Sequence, residues 1–108
     1  MALGRRLWRF HARPSTEGGH RVLFLEGRLG HAATAELEAA IFQHASGAVS
    51  TVIVDLSAVD YLSGAALRVF EASADRLSKN GGRLSLRAPS VAARLALDLA
   101  GLIGLVDS

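Results

Sequence analysis

Ser63 and Gly64 stand where an apolar stretch gives way to an amphipathic one, and no other polar pair in the chain is better placed for chemistry. Residues 55–70 read Asp-Leu-Ser-Ala-Val-Asp-Tyr-Leu-Ser-Gly-Ala-Ala-Leu-Arg-Val-Phe, which predicts the end of a buried strand, a tight loop and the start of a helix. A hydroxyl at such a junction lies among backbone N–H groups that have no partner within the helix, at the positive end of its dipole. That position suits an anion, including a phosphate carried by the serine itself. It equally suits an N-cap, with Ser63 accepting from the N–H of Ala65 or Ala66. Gly64 reads either as a first-turn glycine, costing up to about 1 kcal/mol relative to alanine, or as a point of close approach to a partner. Arg68 reads as part of a solvated helix face or as a contact residue on it.

Other chemistry is missing. There is no cysteine, so disulfides and thiolate metal sites are excluded, and a reducing cytoplasm is permitted. His11, His20, His31 and His44 lack the spacing of metal ligands and have no carboxylates clustered beside them, so no metal site is expected. No glycine-rich phosphate loop is present. Ser63 follows a strand and precedes a helix, as a nucleophile elbow does, but the Gly-x-Ser-x-Gly pattern is absent. With no assembled acid, base and nucleophile, no catalytic residues and no cofactor are expected, and the chain reads as a non-enzyme.

Composition narrows the partners. The chain has 108 residues, half of them hydrophobic, which predicts one packed domain over residues 1–108. A net charge of +2 is too small to imply nucleic acid. Arg5, Arg6, Arg9 and Arg13 form a basic N-terminal stretch, read as a solvated tail or edge strand. The apolar run at 99–106 is eight residues long, too short to span a bilayer, and residues 1–10 lack the apolar core of a signal peptide. A cytoplasmic protein without membrane insertion is the expectation.

The elements that must position Ser63 follow from periodicity. Residues 7–12 and 20–26 predict two strands in a hairpin, the first ended by Pro14 and a turn at 15–19, the second continuously apolar and so covered on both faces. A loop is expected at 27–31. A helix is predicted at 34–45, with Leu37, Ala40, Ile41 and His44 on one face and Ser46-Gly47 as its stop. Residues 51–56 predict a third strand, parallel to the second because a helix separates them. The helix at 64–78 places Ala66, Val69, Phe70, Ser73 and Leu77 on its core face and Arg68, Glu71, Asp75 and Lys79 opposite, with a left-handed stop at Asn80-Gly81-Gly82. A fourth strand is expected at 83–88. Ser90 opens a last helix, with Leu95 and Leu99 on its buried side and Gly101 as its stop. Residues 103–106 predict a short final strand. If Leu102, Ile103, Leu105 and Val106 are exposed, that patch predicts dimers or a partner contact.

The resulting ββαβαβα(β) order resembles a STAS domain, the α/β fold of bacterial anti-sigma factor antagonists, over nearly the whole chain. The resemblance implies a two-layer fold, with a mixed four- to five-stranded sheet and three or more helices. Gly27-Arg28-Leu29 resembles the family's Gly-Glu-Leu-Asp turn, and Asp55-Leu56-Ser57 its Asp-Leu-Ser. The segment from Tyr61 through Ser63, Gly64 and Ala65 to Phe70 resembles its signature Tyr-Ile-Ser-Ser-Ala-Gly-Leu-Arg-Val-Leu or Asp-Ser-Ser-Gly-Leu. Gly81-Gly82-Arg83-Leu84, Pro89-Ser90 and Gly101-Leu102 fit its C-terminal half.

The resemblance implies a binding mechanism. Such antagonists dock on an anti-sigma factor, often a serine kinase, and phosphorylation at the start of this helix breaks the complex. It implies a partner surface of Gly27, Arg28, Gly30, Tyr61, Ser63, Gly64, Ala65 and Arg68. In the ungapped alignment Gly64 occupies the phosphoacceptor position and Ser63 stands one residue early, as a candidate displaced acceptor. Gly30 replaces an acidic residue. The switch is therefore expected to be atypical or absent. The alternatives are a STAS subunit of a lipid-transport ABC system bound to its ATPase, and a scaffold subunit of a stress-signalling complex. The expected oligomeric state is a monomer or weak dimer.

Overall fold

A twelve-residue strand runs through the middle of the molecule and carries Ser63 on its end. The structure, a computed structural model, describes residues 11–17, 20–44 and 51–107. Outside these lie residues 7–10 of the predicted first strand, Arg5, Arg6 and Arg9 of the basic stretch, the turn glycines at 18–19 and the Ser46-Gly47 stop; so do the side chains of Arg13 and His44.

Strands β1 (His11–Glu17) and β2 (His20–Leu29) form the antiparallel hairpin. Pro14 was expected to end β1 but sits inside it, opposite Leu23. β1 is the edge of the sheet, where one side of the strand has no ladder partner and a missing N–H is tolerated. β2 was expected to stop at residue 26 and runs on to Leu29. It then gives way to a 3₁₀ turn (His31–Ala33) and helix α1 (Thr34–His44).

The largest departure is β3 (Thr51–Leu62), predicted to end at residue 56. Ser57 and Asp60 look like turn formers, yet the strand continues to Leu62, paired in parallel with β2 as far as Leu29↔Leu62. Register shifts between Phe24 and Glu26 and between Gly27 and Arg28 keep the pairing going. Gly27 takes the left-handed φ of 104° that this irregularity requires. In the added half Val59 and Leu62 are buried and Ser57, Ala58, Asp60 and Tyr61 exposed. Tertiary pairing overrides local turn propensity here.

Helix α2 (Gly64–Lys79) follows with the predicted faces: Ala66, Phe70, Ser73 and Leu77 are buried, and Asp75 and Lys79 pair on the outer face at 3.1 Å. Its stop is a Schellman motif, with Gly81 at φ 80° and the Gly82 N–H donating to the Leu77 carbonyl at 2.7 Å. Strand β4 (Arg83–Arg87) pairs in parallel with β3, and the two-residue β5 (Val106–Asp107) with β4. The sheet order is β1-β2-β3-β4-β5. In register, Leu23, Val54 and Leu86 share one pleated face and Phe24, Asp55 and Arg87 the other.

Helix α3 (Val91–Leu99) corrects the expected burial. Ala93 and Leu97 are buried, whereas Leu95 and Leu99 are 59% and 80% exposed. The small Ala93 and Ala96 let the helix lie close to the core, and with that face inward the ridge at 91, 95 and 99 points out. The Gly101 stop is as predicted: φ is 76° and the Leu102 N–H donates to the Leu97 carbonyl at 2.8 Å. The expected strand at 103–106 is instead a 3₁₀ turn (Ile103–Leu105) leading into β5. Leu102, Ile103, Leu105 and Val106 are only partly exposed and pack against the core, so they form no open patch.

Candidate functional site

Ser63 acts as a helix cap in this structure. Its backbone is extended (φ −76°, ψ 163°), its Oγ accepts from the Ala66 N–H at 3.1 Å, and its carbonyl accepts from Leu67 at 3.0 Å. Its own N–H donates to the Leu29 carbonyl at 2.9 Å, which ties the cap to the end of β2. The residue is 8% exposed. A kinase acting on this hydroxyl would have to open the first turn of α2.

Gly64, the next residue, is exposed. A Cβ built there meets nothing within 4 Å, and it is absent from the residues with positive φ. Neither packing nor backbone conformation demands a glycine at this point.

The β2–β3 ladder brings the other predicted residues to the same end of the sheet. Arg28 lies opposite Tyr61, and its guanidinium stands 4.8 Å above the ring centroid. A cation–π contact at an exposed site is worth about 0.5–1 kcal/mol. Here it holds two long side chains against each other, with Tyr61 still 42% exposed. Gly27 sets the bend before Arg28. Gly30 is extended (φ −83°, ψ −178°) and its carbonyl accepts from Ala33 at 3.1 Å, opening the 3₁₀ turn. Ala65 is half-buried. Arg68 is exposed one turn after Gly64 and forms no ion pair with a described residue. Arg28 and Tyr61 thus stand on the strand ends and Gly64 and Arg68 on the first turns of α2, with the buried Ser63 at the junction between them.

Sequence reasoning missed a polar cluster on the sheet. The Asp55 carboxylate accepts from the Ser57 N–H (2.9 Å) and hydroxyl (2.6 Å) with one oxygen and from Arg87 Nε (2.9 Å) with the other. Arg87 Nη1 reaches Glu17 Oε1 at 3.0 Å, and its guanidinium lies 5.3 Å from the Phe24 ring centroid. Burial pushes the Asp55 carboxyl up, but the bonds from Ser57 and Arg87 outweigh it and hold the group below its ordinary value. The bond to Glu17, and then that to Asp55, raise Arg87. An aspartate inside a strand of valines, isoleucine and leucine was the one available sign; its partner is 32 residues away.

Ser90 was also missed as a tether. It caps α3 by accepting from Ala93 N–H at 3.1 Å, and its hydroxyl donates to the Val59 carbonyl at 2.5 Å. Its N–H reaches the Leu56 carbonyl at 3.3 Å. The described pairing of β4 with β3 ends at Asp55↔Arg87, and the cap of α3 takes over along β3 from there. Among the described residues no group of histidine and carboxylate side chains could hold a metal ion, and no helix is long and apolar enough to cross a membrane.

A mixed sheet whose central strand runs straight into a capped helix, with an exposed surface at that junction, defines an α/β domain built around one strand-to-helix entrance. Residues 12–107 match the family model described as "Mlab, STAS domain", and the chain belongs to the STAS domain family. Among solved structures it is similar to the anti-sigma factor antagonist SpoIIAA in its unphosphorylated form, at 24% identity and TM-score 0.71 over 90% of this chain and 86% of that one. It is similar also to an anti-sigma factor antagonist from Mycobacterium paratuberculosis, at 25% identity and TM-score 0.79 over 90% and 82%. The same fold occurs within SLC26A9, at 11% identity and TM-score 0.73, over 97% of this chain and 23% of that longer one. No curated protein matches the chain.

Proposed function

We propose that this chain is a non-enzymatic, cytoplasmic regulator of the anti-sigma factor antagonist kind, one STAS domain over residues 1–108, that docks on an anti-sigma factor/serine kinase. Docking uses Gly27, Arg28, Gly30, Tyr61, Ser63, Gly64, Ala65 and Arg68. The observation that carries this reading is the juxtaposition of Arg28, Tyr61, Gly64 and Arg68 at the entrance of α2. Arginine and tyrosine are the side chains that dominate binding energy at protein interfaces.

The phosphoserine switch is absent or displaced in this reading. Gly64 offers no hydroxyl, and the Ser63 hydroxyl is buried in its cap. The complex is then permanent under conditions that would break a phosphorylated one. A phosphate in the surface would bring about −1.5 to −2 charges and a large hydration demand. The open space at Gly64 makes the reading testable, because a serine fits there. With the cognate kinase and ATP, intact mass should show no phosphate on the wild type and stoichiometric phosphate on Gly64→Ser. Rapid phosphorylation of wild type that disappears in Ser63→Ala overturns the non-switching version.

Gly64 also favours a second reading, a STAS subunit held on the ATPase of a lipid-transport ABC system, since a constitutive subunit needs no acceptor hydroxyl. Capture from the native cells separates the two: an anti-sigma factor kinase supports the first, an ABC ATPase the second. Either partner should be lost with Tyr61→Ala combined with Arg68→Glu. A partner retained by that variant removes this surface from both readings.

A further inference from the structure

Four large apolar side chains stand exposed among the described residues, and three of them, Val91 (89%), Leu95 (59%) and Leu99 (80%), lie on α3. Steps of four residues place them on one ridge of the helix. Ile103 borders the same ridge, and the groove between them, about 400 Å³, is edged by Arg94 and Asp98. Neither of these two charges forms an ion pair with a described residue, although they sit at the same i,i+4 spacing as Asp75 and Lys79, which close at 3.1 Å. The order differs: acid before base favours closure along a helix more than base before acid does. Arg94 and Asp98 are left open toward solvent along one side of the apolar ridge.

We propose that this ridge is the interface of a two-fold homodimer, with the occupant of the groove a second copy of α3. A patch with one cation and one anion a turn apart is its own complement under a two-fold axis normal to the helix. The two helices then run antiparallel. Val91 meets the second copy's Leu99, Leu95 meets its own counterpart, and Arg94 comes within reach of the second copy's Asp98. A partner surface of one sign would satisfy only one of the two charges, whereas a second copy satisfies both, in two symmetry-related pairs. The ridge uses none of the residues of the docking surface at the entrance of α2, so the inference stands apart from the proposed function.

Sedimentation of the full chain tests it. The wild type should shift from monomer to dimer as concentration rises toward roughly 1 mM, and Leu95→Glu should remain a monomer. Arg94→Asp and Asp98→Arg should each weaken dimerisation about ten-fold or more through like-charge contacts. An equimolar mixture of those two variants should recover it, since every crossed pair is again of opposite sign. All three positions are exposed, so thermal midpoints should match the wild type and mark the losses as interface effects. A wild type that stays monomeric at the highest concentration overturns the proposal. So does a dimer that survives Leu95→Glu, or a mixture that associates no better than its components.

Discussion

Ser63 and Ser90 open two helices in the same way and lead to two different surfaces. Each is extended and accepts from an N–H three residues on, at 3.1 Å. Beyond that they part. Ser63 is tied through its backbone, to the Leu29 carbonyl, and the helix it opens shows solvent a charged face of Arg68, Glu71, Asp75 and Lys79. Ser90 is tied through its hydroxyl as well, to Val59, and the helix it opens shows solvent an apolar ridge. A cap sets where a helix starts, while the residues packed beneath it decide which face is left outside. α2 buries Phe70 and Leu77, so its large apolar side chains go inward. α3 buries Ala93 and Leu97 and turns three of its large ones out.

The largest effect is expected at Leu97 and Leu95, two positions apart on α3. Leu97 is fully buried, so Leu97→Ala should cost about 3 kcal/mol, the lost transfer energy plus a cavity. Leu95→Ala should change stability by less than about 0.5 kcal/mol. Urea unfolding of the two variants decides it. Equal costs would mean that α3 buries the other ridge and that the exposed apolar face is wrong.

A smaller difference is expected between the two caps. Ser63→Ala removes one cap bond and should cost about 1 kcal/mol. Ser90→Ala removes a cap bond and also the donor to the Val59 carbonyl, and should cost about 2 kcal/mol. Ser90→Cys, too poor a donor to replace the hydroxyl, should resemble the alanine variant. Equal losses at positions 63 and 90 would show that the Val59 bond carries no net weight.

What was legible in the sequence was local. The serine caps, the left-handed glycines at 81 and 101 and the two faces of α2 each have a signal within a few residues. The proposed docking residues come from the resemblance alone, and the ladder places two of them, Arg28 and Tyr61, opposite each other. What was not legible depended on distant partners. Ser57 and Asp60 looked like loop residues because nothing nearby shows that β2 supplies a ladder as far as Leu29. The face of α3 was misread because two leucines at i,i+4 outweigh two alanines on any hydrophobic count, although the alanines allow the closer approach. Ala88 has a left-handed φ of 51°, a conformation costing roughly 1–2 kcal/mol in a non-glycine residue, and no local signal announces it. It is held between Arg87, anchored on Asp55, and Pro89-Ser90, anchored on β3.

That anchoring makes the entrance of α3 sensitive to acid where the entrance of α2 is not, the smallest of the expected differences. Arg87 is the last residue of β4, and its hold on Asp55 fixes the chain just before Ala88. The Asp55 carboxyl is held below its ordinary value. Its contribution is therefore fully present above the unfolded-state value, about 3.9, and is lost as pH falls through the lower folded value. Ser63 is held by Leu29 through a backbone bond that does not titrate. Hydrogen exchange at falling pH, corrected for intrinsic rates, should therefore show the amides of Ser90 and Ala93 losing protection before those of Ser63 and Ala66. The outer Arg87–Glu17 pair is about half exposed at the glutamate and should add little. Asp55→Asn keeps an acceptor for Ser57 but no charge for Arg87, so it should lower stability near neutrality and abolish the difference in acid response. If the two entrances open together in the wild type, or stay ordered apart in Asp55→Asn, the Arg87–Asp55 tie is not what holds α3 on the sheet.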